Sequence, residues 1–175
     1  DLHSNFNDIS NSVGLSNPCF KGTAMAIADY NNDGTLDILI GNGDGGKCYL
    51  LKNEAGQFVQ DKQTSAQLTK FLEGIKIYDI AFVDYDNDGH EDSVVAGVNA
   101  NNAKQGVKLF HNDGPKGFTD ASSILPDNLM QANRIGLADF NFDGDRDIFF
   151  SSNSGVQLAR NDGGNSNNFV QVQLT

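Results

Sequence analysis

The chain has 175 residues, enough for one ordinary domain that buries roughly 70% of the surface its unfolded form exposes. A formal charge of −11, from 23 acidic and 12 basic residues, repels phosphate backbones and argues against nucleic-acid binding. No run approaches the ~20 apolar residues of a membrane-spanning helix, and 19 glycines with no tryptophan point to a β-rich, loop-rich fold.

The chain opens without a basic stretch followed by an apolar one, so Asp1 reads either as a processed terminus or as the start of a chain without a signal peptide. Phe6-Asn-Asp-Ile9 then reads as the last strand of a sheet, joined by a linker up to residue 20. The remainder divides into three units, 21–74, 75–130 and 131–175, because one segment recurs without gaps. Its copies are Ala28-Asp-Tyr-Asn-Asn-Asp-Gly-Thr-Leu-Asp37, Val83-Asp-Tyr-Asp-Asn-Asp-Gly-His-Glu-Asp92 and Ala138-Asp-Phe-Asn-Phe-Asp-Gly-Asp-Arg-Asp147. Their first aspartates, Asp29, Asp84 and Asp139, are spaced by 55 residues each time.

Short apolar runs flank every copy. Met25–Ala28, Ile80–Val83 and Ile135–Ala138 precede the loops; Ile38–Ile40, Val94-Val95 and Ile148–Phe150 follow them. Such runs, rich in Ile, Val and Phe and bounded by Gly and Asn, read as strands and are too short for helices. A second pair of strands follows in each unit. Tyr49–Leu51, Val107–Phe110 and Val156–Leu158 lead through turns at Asn53–Gly56, Asn112–Pro115 and Asn161–Gly164 into Phe58-Val59, Phe118-Thr119 and Phe169–Val172. The expected fold is therefore all-β, with three four-stranded antiparallel propeller-like blades. Propellers close with 4–8 blades, so three make an incomplete ring or part of a larger assembly. Edge strands then become candidates for self-association, with Phe6–Ile9 completing a neighbour's sheet or lying against Phe169–Leu174.

The repeated loop has the donor pattern of a calcium site. Ca²⁺ takes 6–8 oxygens from carboxylates, carbonyls and water, and side chains at positions 1, 3, 5 and 9 converge on one centre, with a backbone carbonyl from position 7. Loop one offers Asp29, Asn31, Asp33, Asp37 and the carbonyl of Thr35; loop two offers Asp84, Asp86, Asp88, Asp92 and the carbonyl of His90. Loop three offers Asp139, Asn141, Asp143, Asp147 and the carbonyl of Asp145. Glycine at position 6 (Gly34, Gly89, Gly144) is expected where a Cβ would clash in the sharp turn, and the position 7 side chain is expected to vary freely. Three Ca²⁺ ions are expected, the tightest at loop two with its four carboxylates. Loops this weakly furnished suit millimolar extracellular calcium, which favours export to the extracellular space or cell surface. An EF-hand would need a glutamate at position 12, where Ile40, Val95 and Phe150 stand.

The Asp-x-Asx-x-Asp-Gly-x-x-Asp core with its strand flanks resembles the FG-GAP/VCBS repeats of β-propellers, including the calcium loops of the integrin α head. The Phe-Gly and Gly-Ala-Pro elements that name the repeat are absent. Asn167–Leu174, and Phe6–Ser10 followed by Gly14-Leu15, are similar to segments around such repeats in the cartilage acidic protein group. The resemblance implies structural ions between the first two strands of each blade, and a secreted or surface role in adhesion, recognition or scaffolding.

No nucleophile elbow or recognisable catalytic Ser or Cys is present, and the paired carboxylates belong to the loops, so the chain reads as non-enzymatic. His3, His90 and His111 are scattered, with no second histidine at ligand spacing, and read as surface or turn residues. Tyr30, Tyr85 and Phe140 share position 2 and read as packing residues. Cys19 and Cys48 form a disulfide if the chain is exported and are free buried thiols otherwise. The variable stretches Gly41–Gly46, Asn99–Gly106 and Asn161–Ser166 are the candidates for a protein or glycan partner. The leading functional expectation is a calcium-binding module for adhesion or structural assembly. A carbohydrate-binding module and a non-catalytic fragment of a larger secreted enzyme are the alternatives.

Overall fold

In the computed structural model the described residues are 5–17, 20, 22–43, 45, 47–99, 101, 106–129 and 131–164. They form three antiparallel sheets. The first joins β1 (Ala24–Ala28), β2 (Asp37–Gly41), β3 (Cys48–Glu54) and β4 (Gln57–Gln60) in chain order. The second joins β5 (Ile75–Val83), β6 (Asp92–Asn99), β7 (Val107–Asn112) and β8 (Phe118–Asp120). The third joins β9 (Arg134–Ala138), β10 (Asp147–Ser152) and β11 (Gly155–Ala159). Every strand expected among these residues is present except Phe6–Ile9. The expected fourth strand of the last sheet, Phe169–Val172, lies outside the described residues, so that sheet has three strands here rather than four. Among the described residues the sheets do not close into a ring.

Register places the repeats in phase. Leu39 opposes Leu50, Val94 opposes Leu109 and Phe149 opposes Leu158. Alternation along the strands gives each central sheet face a neighbour. Leu39, Cys48 and Leu50 of the first sheet share a core with Ile75, Ile77, Ile80, Val95 and Phe110 of the second. Val94, Val107 and Leu109 on the opposite face of the second sheet meet Ile148 and Phe150 of the third. The approach of the first two sheets is close at Gly41, where a Cβ would lie 2.5 Å from Ile80 Cδ1. Inner strands are also tied by polar bonds: Thr23 Oγ1 donates to the Ile77 carbonyl (2.7 Å), and Ile135 N donates to Asp79 Oδ2 (2.9 Å). Asp79 reaches that strand because β5 shifts register between Ile77 and Asp79.

Two local features depart from the expectation. Phe6–Ile9 is not a strand; Phe6 is fully exposed, and the segment meets the first sheet further along, where Phe58 N donates to the Val13 carbonyl. The second is a helix, α1 (Lys62–Phe71), that no apolar periodicity announced. Its signal is the cap: Asp61 accepts from Thr64 N at 3.0 Å. Gly74, at φ +79°, follows the end of the helix before β5. The helix buries Leu68, with Leu72 just beyond its end, in the first core, and Gln67 Oε1 accepts from Phe118 N of the second sheet.

Candidate metal centres

Each repeated loop connects the first two strands of its sheet and adopts the same backbone. Position 4 has positive φ in all three, at Asn32 (56°), Asn87 (55°) and Phe142 (61°), and so does position 6, at Gly34 (87°), Gly89 (88°) and Gly144 (94°). Asparagine tolerates the left-handed region; phenylalanine does so at a cost. The reason for glycine at position 6 differs from the expected clash. A Cβ on Gly34 or Gly89 would meet nothing within 4 Å, so the requirement is conformational alone.

The first aspartate organises the turn. Asp29, Asp84 and Asp139 each accept from the amides of positions 5 and 6: Asp33 and Gly34 at 3.0 and 2.8 Å, Asp88 and Gly89 at 3.0 and 3.0 Å, Asp143 and Gly144 at 3.2 and 3.0 Å. Position 5 accepts from the position 7 amide, as Asp33 does from Thr35, Asp88 from His90 and Asp143 from Asp145. Asn31 and Asn141 hold Asp33 Oδ2 and Asp143 Oδ2 through their side-chain amides. In loop two an aspartate, Asp86, replaces that asparagine, and carboxylate oxygens of Asp84, Asp86 and Asp88 lie within 4.8 Å of one another.

Position 9 is the buried member. Asp37, Asp92 and Asp147 are all 0% exposed. One oxygen of each accepts from the backbone of an asparagine on the next hairpin: Asn53 at 2.8 Å, Asn112 at 2.7 Å and Asn161 at 2.8 Å. Asp37 Oδ2 is buried without a hydrogen-bond partner. Burial raises the Asp37 carboxyl above its ordinary range and raises Asp92 well above it, since the charged form has lost water. Buried carboxylates gathered with others fit a cation far better than they fit isolation. At loop two, Asp84, Asp86 and Asp88 could hold a metal ion, and so could Asp86, Asp92 and His111.

Position 7 side chains are less free than expected. Thr35 Oγ1 contacts Asp33 Oδ1 and the Asn53 carbonyl, and Asp145 is fully buried, accepting from Asn87 Nδ2 at 3.1 Å. Position 2 packs as expected where a next sheet exists. Tyr30 is 4% exposed and stacks on Phe118, with ring centroids 6.3 Å apart; Phe140, in the last sheet, is 46% exposed. Sequence reasoning missed His111, which stands beside loop two with Nδ1 3.2 Å from Asp92 and 3.5 Å from Asp86. It also missed the asparagines Asn112 and Asn161, whose side chains donate to the Tyr30 and Tyr85 carbonyls of the preceding loop. Cys48 is a buried thiol pushed up to about 12 by loss of solvent. Cys19 lies outside the described residues, and its pairing with it.

The molecule is thus an antiparallel β-repeat protein with one acidic turn per sheet. The FG-GAP-like repeat family profile matches residues 29–95 and 84–150, and the chain belongs to that family. It is similar to cartilage acidic protein 1 of Mus musculus, 24% identical over 180 residues that cover 95% of this chain and 27% of that protein. It is also 32% identical over 83 residues to cartilage acidic protein 1 of Xenopus tropicalis, covering 47% of this chain and 12% of that protein. The chain spans about a quarter of the length of the mouse relative. Among the described residues, no helix is long and apolar enough to cross a membrane.

Proposed function

We propose that the chain is a non-catalytic, calcium-stabilised extracellular repeat module for adhesion or structural assembly, with one Ca²⁺ in each loop. The observation that carries this reading is the set of fully buried position 9 carboxylates, Asp37, Asp92 and Asp147, one in each loop. Asp29, Asn31, Asp33 and the Thr35 carbonyl would complete the first site; Asp84, Asp86, Asp88 and the His90 carbonyl the second; Asp139, Asn141, Asp143 and the Asp145 carbonyl the third. Ten carboxylates take part, and three doubly charged ions would bring the formal charge from −11 to −5. Bound calcium would link the two strands of each hairpin and stabilise the fold by mass action.

The assembly role is supported by the last sheet. Leu158 and Val156 are 39% and 72% exposed, whereas their counterparts Leu50 and Cys48, and Leu109 and Val107, are at most 5% exposed against the following sheet. Burying such a side chain stabilises by about 1.5–3 kcal/mol, so this face suits a further sheet of the same repeat. Calcium titration by calorimetry, with melting curves before and after chelation, tests the ion; light scattering in calcium tests assembly. An unaltered melting curve after chelation sinks the structural calcium, and a clean monomer at high concentration sinks self-assembly.

A further inference from the structure

One side chain occupies the same point in all three repeats, immediately before the asparagine whose amide closes the loop: Lys52, His111 and Arg160. Lys52 pairs with Asp61 at 3.3 Å, and Arg160 pairs with Asp162 at 2.7 Å. Ammonium and guanidinium groups only donate, so neither can ligate a cation. An imidazole can.

His111 is placed to do so. Its Nδ1 is buried without a hydrogen-bond partner and lies 3.5 Å from Asp86 Oδ2 and 3.2 Å from Asp92 Oδ1. The three residues bring one ligand atom each within 4.8 Å of one another. Four ligands in a tetrahedron about 2.1 Å from a small divalent ion are separated by about 3.4 Å, close to these spacings. On the far side of the ring, Asp113 Oδ1 lies 3.7 Å from Nε2, beyond hydrogen-bond distance. The Tyr85 ring stands edge-on to the imidazole at 6.1 Å. Calcium takes oxygen ligands, whereas imidazole suits first-row transition ions.

We propose that loop two is a transition-metal site, in which His111 Nδ1 joins Asp86 and Asp92 to hold a first-row divalent ion such as Zn²⁺ in preference to Ca²⁺. This rests on reading the loops as cation sites and revises that reading at loop two alone, where the transition ion would displace Ca²⁺; the first and third loops keep theirs.

Co²⁺ is a suitable probe, followed by visible absorption and calorimetry on the full chain in millimolar calcium. One Co²⁺ per chain should bind with bands of mixed nitrogen and oxygen ligation. His111→Gln should weaken it at least tenfold, about 1.4 kcal/mol or more, while Lys52→Gln, at the same point of the first repeat, leaves it unchanged. Should His111→Gln fold poorly by circular dichroism, His111→Lys copies the arrangement of the first repeat and should abolish the Co²⁺ bands. Co²⁺ that competes no better than calcium, or binds equally well without the His111 imidazole, overturns the proposal. Calcium uptake by the first and third loops is read separately in the same variant. Its absence alongside intact Co²⁺ binding in the wild-type chain would sink the calcium reading and uphold this one.

Discussion

The side-chain amide of Asn112 donates to the backbone carbonyl of Tyr30, 2.8 Å away and 82 positions earlier in the chain. The same residue donates to the Glu91 carbonyl at 3.0 Å, while its own side-chain oxygen accepts from Gly114 N. Asn161 repeats the relationship with Tyr85 in the next pair of sheets. One asparagine per junction, buried at Asn112 and half-buried at Asn161, therefore fixes how far one acidic loop stands from the hairpin of its neighbour.

Asn112→Ala should destabilise the chain by about 2–3 kcal/mol, because buried carbonyls and an amide lose partners at once. Urea unfolding measures it. A penalty within about 0.5 kcal/mol, that of an ordinary surface change, would show that the junction does not depend on this residue.

Phe142 holds the left-handed conformation that Asn32 and Asn87 hold in the other loops, and it is 76% exposed. Phe142→Asn should stabilise by roughly 1 kcal/mol through relief of that backbone cost. Ala55, at φ 54° in the β3–β4 turn, offers a second case, and Ala55→Asn should stabilise similarly. Thermal melts in calcium decide both.

Two glycines should respond to alanine for different reasons. Gly34→Ala meets open space and should cost about 1 kcal/mol, the conformational price alone. At Gly97 a Cβ would lie 2.6 Å from the Lys76 carbonyl oxygen in the paired strand, so Gly97→Ala should cost more, about 1–3 kcal/mol. Equal penalties by denaturant titration would contradict this.

Asp61 caps α1 and also accepts from the Tyr30 hydroxyl at 3.0 Å. Burial favours its neutral form, yet the amide and hydroxyl of Thr64, the Tyr30 hydroxyl and Lys52 together hold its pKa below the ordinary value. A carboxylate lowered by folding stabilises fully above its unfolded pKa of about 3.9, and the gain is lost as pH falls through the folded value. Asp61→Ala should thus cost about 1–2 kcal/mol at neutral pH and less in acid. An equal penalty at pH 7 and pH 3 would remove the charge from the account.

Removing calcium should lower the melting temperature and raise hydrogen exchange first in the three loops. Asp37→Ala should reproduce the loss at the first loop alone, since its buried carboxylate has no replacement. Loop exchange that ignores both chelation and Asp37→Ala would contradict a structural ion.

Local chemistry wrote much of this fold into the chain. The 55-residue interval, the Asp and Asn donors before a glycine, and the apolar runs on either side located the hairpins and the acidic turns, because loop geometry depends on residues adjacent in sequence. Helix α1 was less visible: it buries a single leucine, Leu68, too little for an apolar periodicity, and only the Asp61 cap marks its start. His111 gave no signal at all. Its nearest loop partner, Asp92, is 19 positions away, and only the pairing of β6 with β7 brings the two together. Tertiary packing likewise decided that Asn112 and Asn161 join successive loops, and that Leu158 lies open while Leu50 and Leu109 are covered. Strand alternation tells which side chains share a face, but the presence of a sheet against that face is a relation between distant segments. Local pattern carries the turn; long-range contact carries the neighbour.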